Sequence, residues 1–347
     1  MRKEVLWAVI AGIVLGLIVA FGVWRVNSKI SGKKEAGISL ATPTPEPQDI
    51  GSSTIVLNKP EENDVVTTDT VAVSGLTKPS AWVILSGEDG DYTAQADTTG
   101  GFSQNVDLIP GINQIKVTAF YGSPNGENSY SDTQVLVVYS SSFQTKTALS
   151  ASPAANATGA SDIKKKVAQD VVNAMNQPKA YIGTVTDITD STIQIKTTDS
   201  QIDQISISAD KTSVTNSTGT TPKAIKTTDI AIGDFIVAMG YVSGNSVLSA
   251  QRILVTDAIN EPKITATEAK VASVTKKALT VTKISDNSQD TVTPDKNTDI
   301  EAVANGASKV VKFSSISTND TIIYVVTTDT KSVNTVRSIF DLTPPQS

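Results

Sequence analysis

The sequence predicts an all-β protein carried behind one N-terminal transmembrane helix. Three observations predict it: an uncharged apolar run over residues 5–24, a series of short alternating strand signals over 53–140, and an internal repeat across 181–343. The strand signals predict an antiparallel β-sandwich, and the repeat predicts two small β-barrel-like modules. A chain of 347 residues leaves room for two or three domains, each able to bury a core.

Composition narrows the chemistry. There is no Cys and no His. Disulfides, Cys nucleophiles, His-based triads and the ordinary Cys/His zinc, haem and iron–sulfur sites are therefore excluded. A formal net charge of −6 argues against nucleic acid as a general partner.

Residues 5–24 read VLWAVIAGIVLGLIVAFGVW. At about 1.5 Å per residue this run spans about 30 Å, the thickness of a bilayer core. Trp7 and Trp24 stand at its ends, where indole rings favour the headgroup boundary. A cleaved signal peptide is the alternative, with Ala20-Phe21-Gly22 as the cleavage site. The run is longer than a usual signal core, so it is read as an anchor. Arg2 and Lys3 precede it, while Arg25, Lys29, Lys33 and Lys34 follow it. A plain count would place the C-terminus inside. All foldable sequence lies after the helix, so residues 1–4 are read as a cytoplasmic tail and the later domains as extracellular. Ala8, Gly12, Gly16 and Ala20 recur every fourth residue and share one helix face. Such a seam suits a homodimer through the membrane helix, although small residues are common in membrane helices in any case.

Residues 25–52 form a stalk that opens basic and continues as ATPTPEPQ, with the alternating proline of an extended segment. Candidate strands follow at 54–57, 70–74, 81–85, 92–96, 101–106, 114–120 and 133–139. Ile115, Val117 and Ala119 alternate with Gln114, Lys116 and Thr118, so one face is apolar and the other polar. Gly100-Gly101 and Pro110-Gly111 mark tight turns. The pieces VAVSG (71–75), ADTTGGF (96–102) and LIPGIN (108–113) followed by IKVTA (115–119) carry a family likeness. At these residues 53–140 resembles bacterial Ig-like domains of the glucodextranase-B-like type, which are spacers or adhesive modules. That resemblance implies a buried Trp82 on the third strand.

Residues 141–180 read as a Ser/Ala/Thr-rich linker with one helix at 161–177. Ser161 is its N-cap and Pro178 its stop. Then the repeat begins. Residues 183–196 match 269–282, and 230–237 match 316–323, so Gly183 to Asp234 and Ala269 to Asp320 both span 51 positions. The copies occupy 181–257 and 264–343 and are two modules of one kind. The first copy resembles an exported bacterial domain family of unknown function. The second departs from it, with Ala269 at the opening glycine and Asn319 at the central one.

Candidate chemistry is sparse. Glu88, Asp89 and Asp91 form an acidic turn and are the one candidate metal site, for calcium. A solvated hairpin is the competing reading, since no closing Glu at regular spacing is present. No other cofactor is indicated. Asp234 and Asp320 are read as turn aspartates bonding their own backbone. Ser161-x-x-Lys164, Ser273-x-x-Lys276 and Ser285-Asp286-Asn287 imitate a serine-enzyme set, but no K-T-G accompanies them. Tyr92, Phe120, Tyr121 and Tyr130 are candidate glycan-stacking rings, and Lys164–Lys166 a short basic run.

These features point to a non-enzymatic, membrane-anchored cell-surface protein. Its β-modules would bind or space an envelope polymer, a glycan or a protein. The alternative is an accessory subunit of a membrane or envelope complex. A carboxylate hydrolase would need two acids converging in one cleft.

Overall fold

The computed structural model describes residues 55–122, 128–144, 177–219, 221–243, 245–258, 263–304 and 307–343. The predicted span at 5–24, with Trp7, Trp24 and the Ala8, Gly12, Gly16 and Ala20 seam, lies outside the described residues. So do the stalk and the predicted helix at 161–177 up to residue 176. Among the described residues no helix is long and apolar enough to cross a membrane.

The described chain is all-β. Its first segment holds β1 (Val56–Lys59), β2 (Asp64–Val66), β3 (Thr70–Leu76), β4 (Trp82–Ser86), β5 (Asp91–Gln95), β6 (Gly101–Asp107), β7 (Gly111–Gly122) and β8 (Asn128–Tyr139). Each of the seven expected strands overlaps one of these. The three-residue β2 was not foreseen. β1, β3 and β6 make a three-stranded sheet that faces β4, β7 and β8. Val73, Phe102 and Val106 from one side meet Val83, Leu85, Ile115, Val117 and Val135 from the other. The period-two alternation of β7 thus puts its apolar face inward. Asn113 explains the LIPGIN motif. Its buried side chain accepts from Ile109 N–H at 2.8 Å and donates to the Ile109 and Gly111 carbonyls at 2.8 and 3.2 Å. The Pro-Gly turn is held by that one amide.

The first repeat holds β9 (Lys179–Ile188), β10 (Thr192–Lys196), β11 (Ile202–Ser206), β12 (Ser213–Asn216), β13 (Lys223–Ile225), β14 (Phe235–Val242) and β15 (Val247–Thr256). The second holds β16 (Lys263–Val274), β17 (Leu279–Lys283), β18 (Gln289–Val292), β19 (Asp299–Ala304), β20 (Ala307–Val310), β21 (Thr321–Thr328) and β22 (Asn334–Asp341). The copies correspond strand for strand. A single 3-10 turn stands at Thr227–Asp229 in one and Phe313–Ser315 in the other. Gly233 has φ +98° and Asn319, its counterpart, has φ +76°. Asn tolerates the left-handed region better than other L-residues, so the turn survives the change. After it, Asp234 accepts the Ala231 N–H at 2.9 Å and Asp320 the Ser317 N–H at 2.6 Å. Both aspartates hold their own turns.

Three expectations are corrected. The first segment is not a free-standing Ig-like sandwich, because β2 pairs with both β8 and β9. One twelve-stranded sheet therefore runs from the first segment into the first repeat. Nor do two like, separate barrels form. In the first repeat pairing passes from β9 through β10, β11, β15 and β14 back to β9. The second repeat is an open seven-stranded sheet from β18 to β20. Unpaired strand edges recruit neighbours, and β2 supplies one between segments. Finally, Trp82 is not in the core of the first segment. Ala81, Val83 and Leu85 take that face. Trp82 and Ile84 point the other way, against the second repeat.

The first segment is thus buried on two more surfaces. Ile84 and Phe120 pack on Ile264, Ile323, Val325 and Phe340 of the second repeat. Val65, Val138 and Phe143 pack on Ala180, Ile182, Val237 and Met239 of the first. The unbroken apolar run of β4 suits a strand covered on both faces.

Candidate functional site

The predicted acidic turn is built by the β4–β5 hairpin, where Gly87 N–H donates to the Gly90 carbonyl at 2.8 Å. The turn sends its three carboxyl groups to different surroundings. Asp91 is 2% exposed at its side chain and faces Arg337 of β22, whose Nε lies 3.3 Å from its carboxylate. Ser338 Oγ donates to the same carboxylate. Arg337 Nη2 also donates to the Gly87 carbonyl at 2.7 Å. Burial raises the Asp91 carboxyl, and Arg337 and the Ser338 and Ser86 hydroxyls work against that shift. Glu88 is half-buried and Asp89 exposed. Among the described residues no group of three or more His, Cys, Asp or Glu is gathered in a metal-holding arrangement. The cation beside Asp91 is a guanidinium from another module. Nothing in the hairpin alone foretells it.

A second ionic contact joins the first segment to the first repeat. Lys179 opens β9 and lies 2.7 Å from Asp64 and 2.9 Å from Glu61. Burial works to lower the Lys179 ammonium, but the bonds to Asp64 and Glu61 outweigh it and raise the group. Lys179 and then Lys59 hold Glu61 down at about 2.

The candidate aromatic rings separate by environment. Tyr92 packs on the first core, and its hydroxyl accepts the Asp107 N–H at 3.1 Å. Tyr121 is buried, with Lys78 Nζ 4.0 Å from its ring centroid. Phe120 lies in the contact with the second repeat. Tyr130 is 56% exposed. Its ring is tilted 33° to Phe120, with centroids 6.1 Å apart. Phe120 and Tyr130 are direct cross-strand partners of β7 and β8.

These two rings line a cleft of about 380 Å³ between the β7–β8 hairpin and β16. Thr118, Thr265, Thr267 and Ser285 bring hydroxyls to it, and Lys116, Lys263 and Lys283 bring ammonium groups. Lys116 pairs with Asp132 at 3.1 Å and donates to the Ile264 carbonyl at 3.0 Å, tying the hairpin to β16. Glu268 also lines the cleft, its carboxyl raised by burial. Asp286 accepts from the N–H and hydroxyl of Ser288 at 2.9 and 2.6 Å. The Ser285-Asp286-Asn287 motif is therefore a turn at the rim. Alternation along β7 places Lys116, Thr118 and Phe120 on one outward face. Only the tertiary fold brings β16 over that face and makes a cleft of it.

No family model matches the chain, and no curated protein matches it. Solved structures do. One, described as "Ca2+-stabilized adhesin helps an Antarctic bacterium reach out and bind ice", is 17% identical. The match covers 84% of this chain and 73% of that one, at a TM-score of 0.20. Another, described as "Structural insight into host cell surface retention of a 1.5-MDa bacterial ice-binding adhesin", is 13% identical over 84% of this chain and 96% of that one, with a TM-score of 0.20. At that TM-score neither likeness carries an argument about fold or function.

Proposed function

We propose that this chain is a non-enzymatic, membrane-anchored surface protein that holds a neutral glycan in the cleft between its first segment and its second repeat. One observation carries the reading: Tyr130 keeps an exposed ring, backed by Phe120, at the mouth of a cleft rimmed by hydroxyl and ammonium groups. A sugar ring offers an apolar face to an aromatic and hydroxyls to the rim. Binding is favoured over hydrolysis because, of the three carboxyl groups on the cleft, Asp132 is engaged by Lys116 and Asp286 by its own turn, which leaves Glu268 without a second free carboxylate to work with. The anchor is residues 5–24, with the described modules outside the cell.

The test is a pull-down of the full-length chain in detergent on peptidoglycan and a glycan panel. Tyr130→Ala should weaken saturable binding about 5- to 30-fold, the equivalent of about 1–2 kcal/mol. No saturable binding by the folded protein, or equal binding by the variant, removes the reading.

A further inference from the structure

The two described arginines stand at matching places on matching strands, Arg252 on β15 and Arg337 on β22. Their surroundings differ. Arg337 has an oxyanion and a carbonyl on its guanidinium, from Asp91 and Gly87. Arg252 has neither. Its Nε is buried and makes no hydrogen bond among the described residues. A guanidinium stays protonated at any ordinary pH, so Arg252 keeps its charge. That atom is closed to solvent, but Arg252 as a whole is half-buried and lines a cleft, so its terminal nitrogens are the ones a ligand reaches, and a carboxylate or phosphate oxygen is their best partner.

Space for such a partner is present. Arg252 lines a cleft of about 840 Å³ at the junction of the first repeat with Phe143 and its neighbours. Lys211 lines the same cleft from an exposed turn, and Ser142, Ser208, Ser213 and Ser249 add hydroxyls. Among the described residues no Asp or Glu lines it. In a chain of net charge −6 this gathers two cations with no counter-charge among the described lining residues. A smaller cleft of about 530 Å³ on the other side of Arg252 includes Asp257, which forms no ion pair with it.

We infer that Arg252 and Lys211 bind an oxyanion of an acidic, hydroxyl-rich polymer. Arg252 takes a carboxylate or phosphate by its planar fork, at the place where Arg337 has the Asp91 carboxylate beside its Nε. Lys211 adds a second charge at the cleft wall, and the serines donate to neighbouring hydroxyl or ring oxygens. The position that one repeat spends on joining modules, the other keeps for a ligand. This site shares no lining residue with the Tyr130 cleft.

The experiment uses the full-length chain in detergent, titrated calorimetrically with polygalacturonate, with poly(glycerol phosphate) and with neutral dextran. Saturable binding of at least one acidic polymer is expected, weakened tenfold or more by Arg252→Gln and several-fold by Lys211→Gln. Arg252→Lys should recover part of the loss, because it keeps the charge and loses the fork. Raising NaCl from 0.05 to 0.5 M should weaken binding. Preference for one polymer tells carboxylate from phosphate. Tyr130→Ala should bind these polymers as the parent does, so failure of the neutral-glycan reading stays distinguishable. Lys211→Gln decides the matter if Arg252→Gln fails to fold. Dextran reports on the Tyr130 cleft alone; no saturable binding of either acidic polymer, or unchanged binding by the folded variants, overturns the inference.

Discussion

Arg337 Nε lies 3.3 Å from the Asp91 carboxylate, and this pair joins the last strand of the second repeat to the first hairpin turn of the first segment. The side chains are 18% and 2% exposed, so the pair is largely out of water. Removing one member leaves the other charge buried. Arg337→Met should therefore cost about 3–5 kcal/mol, and replacing both residues by apolar ones should cost less than that. Urea unfolding of the Arg337 variant, the matching Asp91 variant and the double variant checks this. A double variant as unstable as the sum of its parts would show that the pair is not coupled.

Asp341 gives a pH signature of its own. Burial first, and the nearby Asp320 charge, push its carboxyl from 3.8 up to about 6. The folded chain then holds a proton that the unfolded chain releases. This group's contribution should fall as pH rises from about 4 to about 6, then stay level. Asp91, Glu62 and Glu268 are shifted in the same direction. Asp341→Asn should flatten part of this loss and stabilise the protein at pH 7. Urea midpoints at pH 4, 5, 6 and 7 measure it, and parallel curves for parent and variant would sink the assignment.

Glu61 works in the opposite sense. Lys179 and Lys59 lower its carboxyl from 4.5 to about 2. Its stabilisation is complete above about 4.5 and is lost as pH falls toward 2. Lys179→Met should make the contact of β2 with β9 less sensitive to acid in that window and to salt. Hydrogen exchange at the Val65 and Ala180 amides reports on that contact, since both bond across it. Identical acid and salt responses in parent and variant would count against it.

Asn113 is buried and bonds three backbone groups of its turn. Asn113→Leu leaves those groups without partners and should cost about 1–3 kcal/mol. A loss confined to the 108–113 turn, read by local hydrogen exchange, would agree. An unchanged unfolding midpoint would not.

Gly183 passes against the backbone of β10. A Cβ there would collide with the Lys196 carbonyl oxygen. Gly183→Ala should cost about 1–3 kcal/mol through forced shifts. The second repeat carries Ala269 at this place, fully buried and paired with Lys283 of β17. Ala269→Gly should leave the β16–β17 pairing intact, which amide exchange along Lys270 and Val271 can verify.

Much of the local structure was legible in the sequence, because period-two alternation and turn chemistry act over a few residues. Ile115, Val117 and Ala119 announce an inward face, and the spacing from Gly183 to Asp234 announces two like copies. Even the change of Gly233 to Asn319 keeps its turn, since both residues accept positive φ. The candidate calcium turn was visible as acid, but its cation was not.

The sequence by itself determined an all-β chain, the places of most strands, the tandem repeat, and turns held by Asp234 and Asp320. Only the tertiary structure decided that β2 would bridge two modules, that Trp82 would face outward onto the second repeat, that Asn113 would hold its turn, and that Arg337 would reach Asp91 while Arg252 found no partner among the described residues. The physical reason is range. A strand's faces follow from neighbours two residues away, whereas edges, clefts and buried charge pairs depend on which distant surfaces meet.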